Sequence, residues 1–121
     1  MEENITGYKN ANGFLETSAM KTLHVKKANT FWQAIRGLIG AKKPHALYMK
    51  TRFGIHTFGV LFPIDVVILD AQHRVVKLQK SLKPNRIFLW SPYWSIVLEL
   101  PNKTINKKHI HIGDTIVLSF D

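Results

Sequence analysis

His56 and Asp65 are the residues in this chain best suited to chemistry. A carboxylate beside an imidazole orients the ring for general acid–base work, so a strand–loop–strand arrangement that brings them together would make a candidate catalytic pair. Both also have a structural reading. Asp65 follows Pro63-Ile64 and is placed to accept backbone N–H groups at a turn, while His56 is placed as a half-buried ring between Ile55 and Phe58. Glu99 stands inside the apolar run Val97-Leu98-Glu99-Leu100, and a buried carboxylate needs a partner; Arg86 and Arg36 are the candidates for a structural ion pair. Asp114, directly after Gly113, reads as a turn residue. His109 and His111 share one side of an extended segment at a spacing zinc would accept, but no third ligand lies nearby in sequence and no metal is expected. Ser81, Ser91 and Ser95 lack a nucleophile-elbow context, and no glycine loop is built to cradle phosphate. There is no cysteine, which excludes disulfides, thiolate metal sites and cysteine nucleophiles. No cofactor is implied.

The formal charge of +9 is the global anomaly. No acid lies between Glu16 and Asp65, or between Asp70 and Glu99, while basic residues recur in both intervals. Such a field attracts nucleic acid, anionic surfaces or acidic proteins, or simply keeps the chain dissolved. No nucleic-acid-binding motif accompanies the charge. At 45% hydrophobic and 21% charged residues, 121 residues suffice for one globular core. No run is long and apolar enough to span a bilayer, and the start Met1-Glu2-Glu3-Asn4 is unlike a secretory signal, so a cytoplasmic location is expected. Oligomeric state is not readable.

Residues 1–18 read as a tail or irregular edge segment, and residues 19–121 as the domain. A strand is expected over residues 20–26, then one short amphipathic helix near residues 30–39, where Phe31, Trp32, Ile35, Leu38 and Ile39 recur at helical spacing. Strand-like runs follow at 46–49, 55–58, 64–69, 74–80, 86–90, 95–100 and 115–120, with a helical turn within 103–109. The runs 64–69 and 74–80 make a hairpin, and Pro63 is tolerated at its entry. The pattern predicts a mainly β (β-rich α+β) fold of about seven strands, barrel-like or built as two antiparallel sheets.

Several blocks carry a resemblance. Ile55-His56-Thr57-Phe58 with Phe62-Pro63-Ile64-Asp65-Val66-Val67, Arg36-Gly37-Leu38-Ile39-Gly40, Leu82-Lys83-Pro84 with Arg86, and Val97-Leu98-Glu99-Leu100-Pro101 with Gly113-Asp114 together resemble the DUF192 family in order and spacing. The resemblance implies a compact β-rich fold with a small helix and no established activity. Many members carry a cysteine before the histidine and a methionine after it, a set suited to a soft metal. Here Thr51-Arg52 and Gly59-Val60 stand at those places, so the chain resembles a divergent member lacking that set.

Three functional expectations follow. The first is a non-catalytic binding or accessory module that takes a small anionic ligand or an acidic partner in a basic, aromatic-lined cleft of Arg52, His56, Lys83, Arg86, Tyr93 and Trp94. The second is a small enzyme using His56 and Asp65. The third is charge-driven nucleic-acid association.

Overall fold

The run Ile64-Asp-Val-Val-Ile-Leu69 is apolar at nearly every position, so period-two alternation cannot say which side faces a core. Such a run suits a strand covered on both faces, and that is how it folds. The computed structural model describes residues 5–9, 15–28 and 46–120. Among these are nine strands and one short helix: β1 (Ile5–Lys9), β2 (Leu15–Lys27), β3 (Leu47–Lys50), β4 (Gly54–His56), β5 (Ile64–Leu69), β6 (Val75–Leu82), β7 (Ile87–Leu89), β8 (Ile96–Pro101), α1 (Thr104–Lys107) and β9 (Thr115–Phe120).

The main sheet runs β1-β2-β3-β8-β5-β6, with β9 paired to β2, and β4 and β7 form a separate two-stranded sheet. Backbone bonds link the start of β6 to the start of β9, from Val75 N–H to Asp114 O and from Gly113 N–H to Val75 O, both at 2.8 Å. The sheet therefore curls into a half-barrel. β2 pairs in parallel with both β3 and β9, so the fold is not purely antiparallel as the strand pattern suggested. The hairpin of β5 with β6 forms as expected, entered directly after Pro63.

Alternation along β5 and β8 now sorts the apolar residues into two cores. Val67, Leu69, Leu98 and Leu100 face the inside of the curl, where they meet Leu23, Val25, Tyr48 and Ile116 and are capped by Ile105 of α1. Ile64, Val66, Ile68 and Val97 face outward, where Ile55, Phe88 and Trp90 of the small sheet and its flank cover them. Burying each such aliphatic side chain is worth roughly 1.5–3 kcal/mol. The β4–β7 plate is thus a required layer of the fold.

Three expectations need comment. The helix near residues 30–39, with Gly37, lies outside the described residues; the described helix is α1, within the stretch read as a helical turn. Residues 5–9 and 15–19 form a regular antiparallel ladder within the segment read as a tail or irregular edge. The strand expected over residues 20–26 forms within β2, with Lys21, Leu23 and Val25 buried and Met20 exposed.

Candidate functional surface

The acids of segment 46–120 are Asp65, Asp70, Glu99 and Asp114. Asp65, Glu99 and Asp114 are buried, and Asp70 holds Arg74, its Oδ2 3.0 Å from Arg74 Nε. The lysines and the other arginines of this segment form no ion pair with an acid among the described residues, while His111 Nδ1 lies 3.9 Å from Asp114 Oδ2.

Asp65 is fully buried. Its Oδ1 accepts the Ser81 N–H at 2.9 Å and its Oδ2 the Ile105 N–H at 2.8 Å. Ser81 lies at a β-bulge, where the register steps from Gln79 opposite Val66 to Leu82 opposite Ile64, and has φ 51. The bulge frees a backbone amide that needs an acceptor. Ile105 lies in the first turn of α1, whose flanking Lys103 gives no side-chain cap, so Asp65 also supplies a cap from another strand. With both oxygens bound to amides and no surface exposed, Asp65 offers a substrate no basic atom. Its pairing with His56 as an acid–base couple is not what this geometry provides. Asp114 acts similarly: its Oδ1 accepts the Ala19 N–H at 3.2 Å and its Oδ2 the His111 N–H at 2.8 Å, and the preceding Gly113 has φ 95.

Glu99 departs from expectation. The Arg86 guanidinium reaches Asn85 O at 3.4 Å, not Glu99, and Arg36 lies outside the described residues. Glu99 lies between Leu47 and Val66 on the outward face of the main sheet, 3% exposed, and its Oε2 has no hydrogen-bond partner among the described residues. Burial raises its pKa to about 7.

The β4–β7 plate organises the remaining candidates. Ile55 and Phe88 point down into the outer core, leaving Gly54, His56, Ile87 and Leu89 on the outward face. Gly54 is required there, because a Cβ would lie 2.6 Å from Leu89 Cδ2 and 2.7 Å from Phe88 O. At one end, buried Thr57 holds the loop that carries Lys83 and Arg86. Its hydroxyl donates to Lys83 O at 2.7 Å and accepts the Arg86 N–H at 2.9 Å. Next to it the His56 and Phe58 rings stack at 4.9 Å, and His56 Nδ1 accepts the Phe58 N–H at 3.3 Å. A groove of about 260 Å³ runs along the plate, lined by Thr51, Gly54, Ile55, His56, Phe58 and Ile87.

The six residues expected to form one cleft divide into separate groups. His56, Lys83 and Arg86 gather at the Thr57 end. Arg52 and Tyr93 share a shallow recess with Pro92 at the other end, where Arg52 Nη1 reaches Pro92 O at 3.5 Å. Trp94 packs against the outer core, and its carbonyl accepts the Trp90 indole N–H at 2.9 Å. Sequence reasoning missed the exposed apolar residues Phe58, Ile87 and Leu89, and also Lys77, whose ammonium lies 4.9 Å from the Phe88 ring centroid and donates to Leu89 O at 2.7 Å. No signal marked Ile87 and Leu89 as outward, because their inward neighbour Phe88 is equally apolar.

His109 and His111 are exposed, and the described residues hold no group of three or more metal-ligating side chains. No described helix is long and apolar enough to cross a membrane.

The model of the DUF192 family, described as uncharacterized ACR, matches residues 14–118. No curated protein matches the chain. Two crystal structures share its fold at a TM-score of 0.59. One, a protein of Sinorhizobium meliloti provisionally named a transcription regulator, is 15% identical, with 92% of this chain and 88% of that one covered. The other, a protein of unknown function from Novosphingobium aromaticivorans, is 12% identical, with 92% and 81% covered.

Proposed function

This chain belongs to the DUF192 family, and we propose that it is a non-catalytic docking module that takes an acidic, apolar-centred segment of a partner protein along the β4–β7 plate. One observation carries this reading. Phe58, Ile87 and Leu89 stand exposed on the plate, with Arg52, Lys83 and Arg86 exposed at its two ends, while the acids of the same segment are turned inward or held by Arg74. An exposed apolar strip with a polar rim is the usual form of a binding surface, and the sign of the rim selects the partner.

Nucleic acid would use the same charge but has less use for the apolar groove. The test is fluorescence anisotropy with three probes: a labelled peptide alternating Glu with Leu and Phe, its Lys-for-Glu counterpart, and a labelled single-stranded DNA. Saturable binding of the acidic peptide alone, weakened by both Arg86→Glu and Phe58→Ser, supports the docking reading. Tighter binding of the DNA, insensitive to Phe58→Ser, overturns it in favour of charge-driven association, and no binding by any probe overturns both.

A further inference from the structure

The two ends of the half-barrel are treated differently. At one end α1 inserts Ile105, 1% exposed, and Asp65 ties the helix down. At the other, where β3 and β5 end and β8 begins, a cavity of about 300 Å³ stays open. Barrel mouths are a recurrent place for small ligands, and this volume is at the lower end of the range such sites occupy. We infer that this mouth is a second binding site, separate from the plate, for a small monoanionic carboxylate carried on a flat ring.

Leu69 and Ile96 line the mouth together with the aromatic residues Tyr48, Tyr93 and Trp94. Around them stand Lys50, His73 and Ser95. The acid at the rim, Asp70, is already satisfied. Its Oδ1 accepts the N–H groups of Gln72 and Arg74 at 2.9 Å each, and its Oδ2 binds Arg74 Nε at 3.0 Å. Lys50 has no ion-pair partner among the described residues and supplies the charge left to be matched. One ammonium and the hydroxyl-bearing residues of the same lining suit a carboxylate, whereas a phosphate dianion would leave a negative charge unmatched. Burial pushes the Tyr48 phenol pKa up, so its hydroxyl remains a donor. Three aromatic residues in the lining favour a planar body over a flexible chain.

Sodium benzoate and neutral benzamide, titrated at constant ionic strength and followed by amide chemical shifts, test the site. Benzoate is expected to give saturable shifts at Lys50, Ala71, His73 and Ser95, to bind about tenfold tighter than benzamide, and to weaken about tenfold in Lys50→Gln. Tyr48→Phe, which keeps the packed ring, should weaken it by a smaller factor. Equal binding of benzamide, shifts unchanged in Lys50→Gln, or no saturable shift would each overturn the inference. Tyr93 borders both the mouth and the Arg52 recess, but Lys50 borders the mouth alone, so Lys50→Gln leaves acidic-peptide binding unaltered and the two proposals stand or fall separately.

Discussion

Asp65 Oδ2 accepts the Ile105 N–H at 2.8 Å across 40 residues of chain, tying the start of β5 to the first turn of α1. The other oxygen of the same carboxylate holds the bulged amide of Ser81. One side chain thus stabilises the irregular backbone on both sides of the plugged end of the half-barrel.

Removing that carboxylate has a defined cost. Each buried amide left without an acceptor costs about 1–3 kcal/mol. Asp65→Ala is expected to lose the cost of two, and Asp65→Asn, which keeps one acceptor oxygen, about half as much. Urea unfolding at constant m-value measures it. A loss below about 1 kcal/mol for the alanine variant would contradict the assigned role.

Glu99 makes stability fall as pH rises. Its pKa is raised from 4.5 to about 7 in the folded chain, so between these values the folded state binds more protons than the unfolded state. By linkage, unfolding free energy then decreases with pH across that window. The penalty is absent below the lower value and complete above the upper one, where it amounts to roughly 3 kcal/mol. Glu99→Gln should remove this slope and be more stable than the parent chain at pH 8. Thermal melts of both proteins at pH 5 and pH 8 show whether the two curves converge at low pH, as they must.

Thr57 joins the plate to the loop bearing Lys83 and Arg86. Thr57→Val keeps the shape but leaves the Arg86 amide and Lys83 carbonyl, in a partly buried setting, without their hydroxyl partner, at about 1 kcal/mol for each group. Hydrogen exchange at the Arg86 amide should accelerate more than at the β5 amides. Uniform acceleration would mean that the hydroxyl does not act locally.

Gly54→Ala places a methyl group against Phe88 O and Leu89 Cδ2. The leucine tip can rotate, but the carbonyl cannot, so β4 must move away from β7. Overpacking of this kind typically costs about 1–3 kcal/mol. Docking of the acidic peptide should weaken with it, since the groove is shaped by the same pairing.

Much of the scaffold was legible in the residues themselves. The apolar run 64–69, the proline before it, the turn at Asp70 and the alternation of Ile116 with Leu118 define strands by local rules that need no knowledge of the fold. The turn reading of Asp114 was local, since its Oδ2 accepts the His111 N–H three residues back. Asp65 does accept backbone amides, but from Ser81 and Ile105, 16 and 40 residues away, which no local rule supplies.

Tertiary structure decided which face each strand presents and what covers it. Val66 and Val67 are chemically identical, and only the curl of the sheet and the plate laid over it send them into different cores. The same holds for charge. Composition shows an excess of cations, but within segment 46–120 the acids are few, and it is their withdrawal into backbone contacts, into the buried position of Glu99 and into the pair with Arg74 that leaves the other lysines and arginines of that segment without an ion pair among the described residues. Ile87, Phe88 and Leu89 look alike in sequence; the pairing of β4 with β7 turns Phe88 inward and the other two outward. Hydrophobic patterning records that a residue can be buried. Whether it is buried depends on which long-range neighbour arrives to cover it.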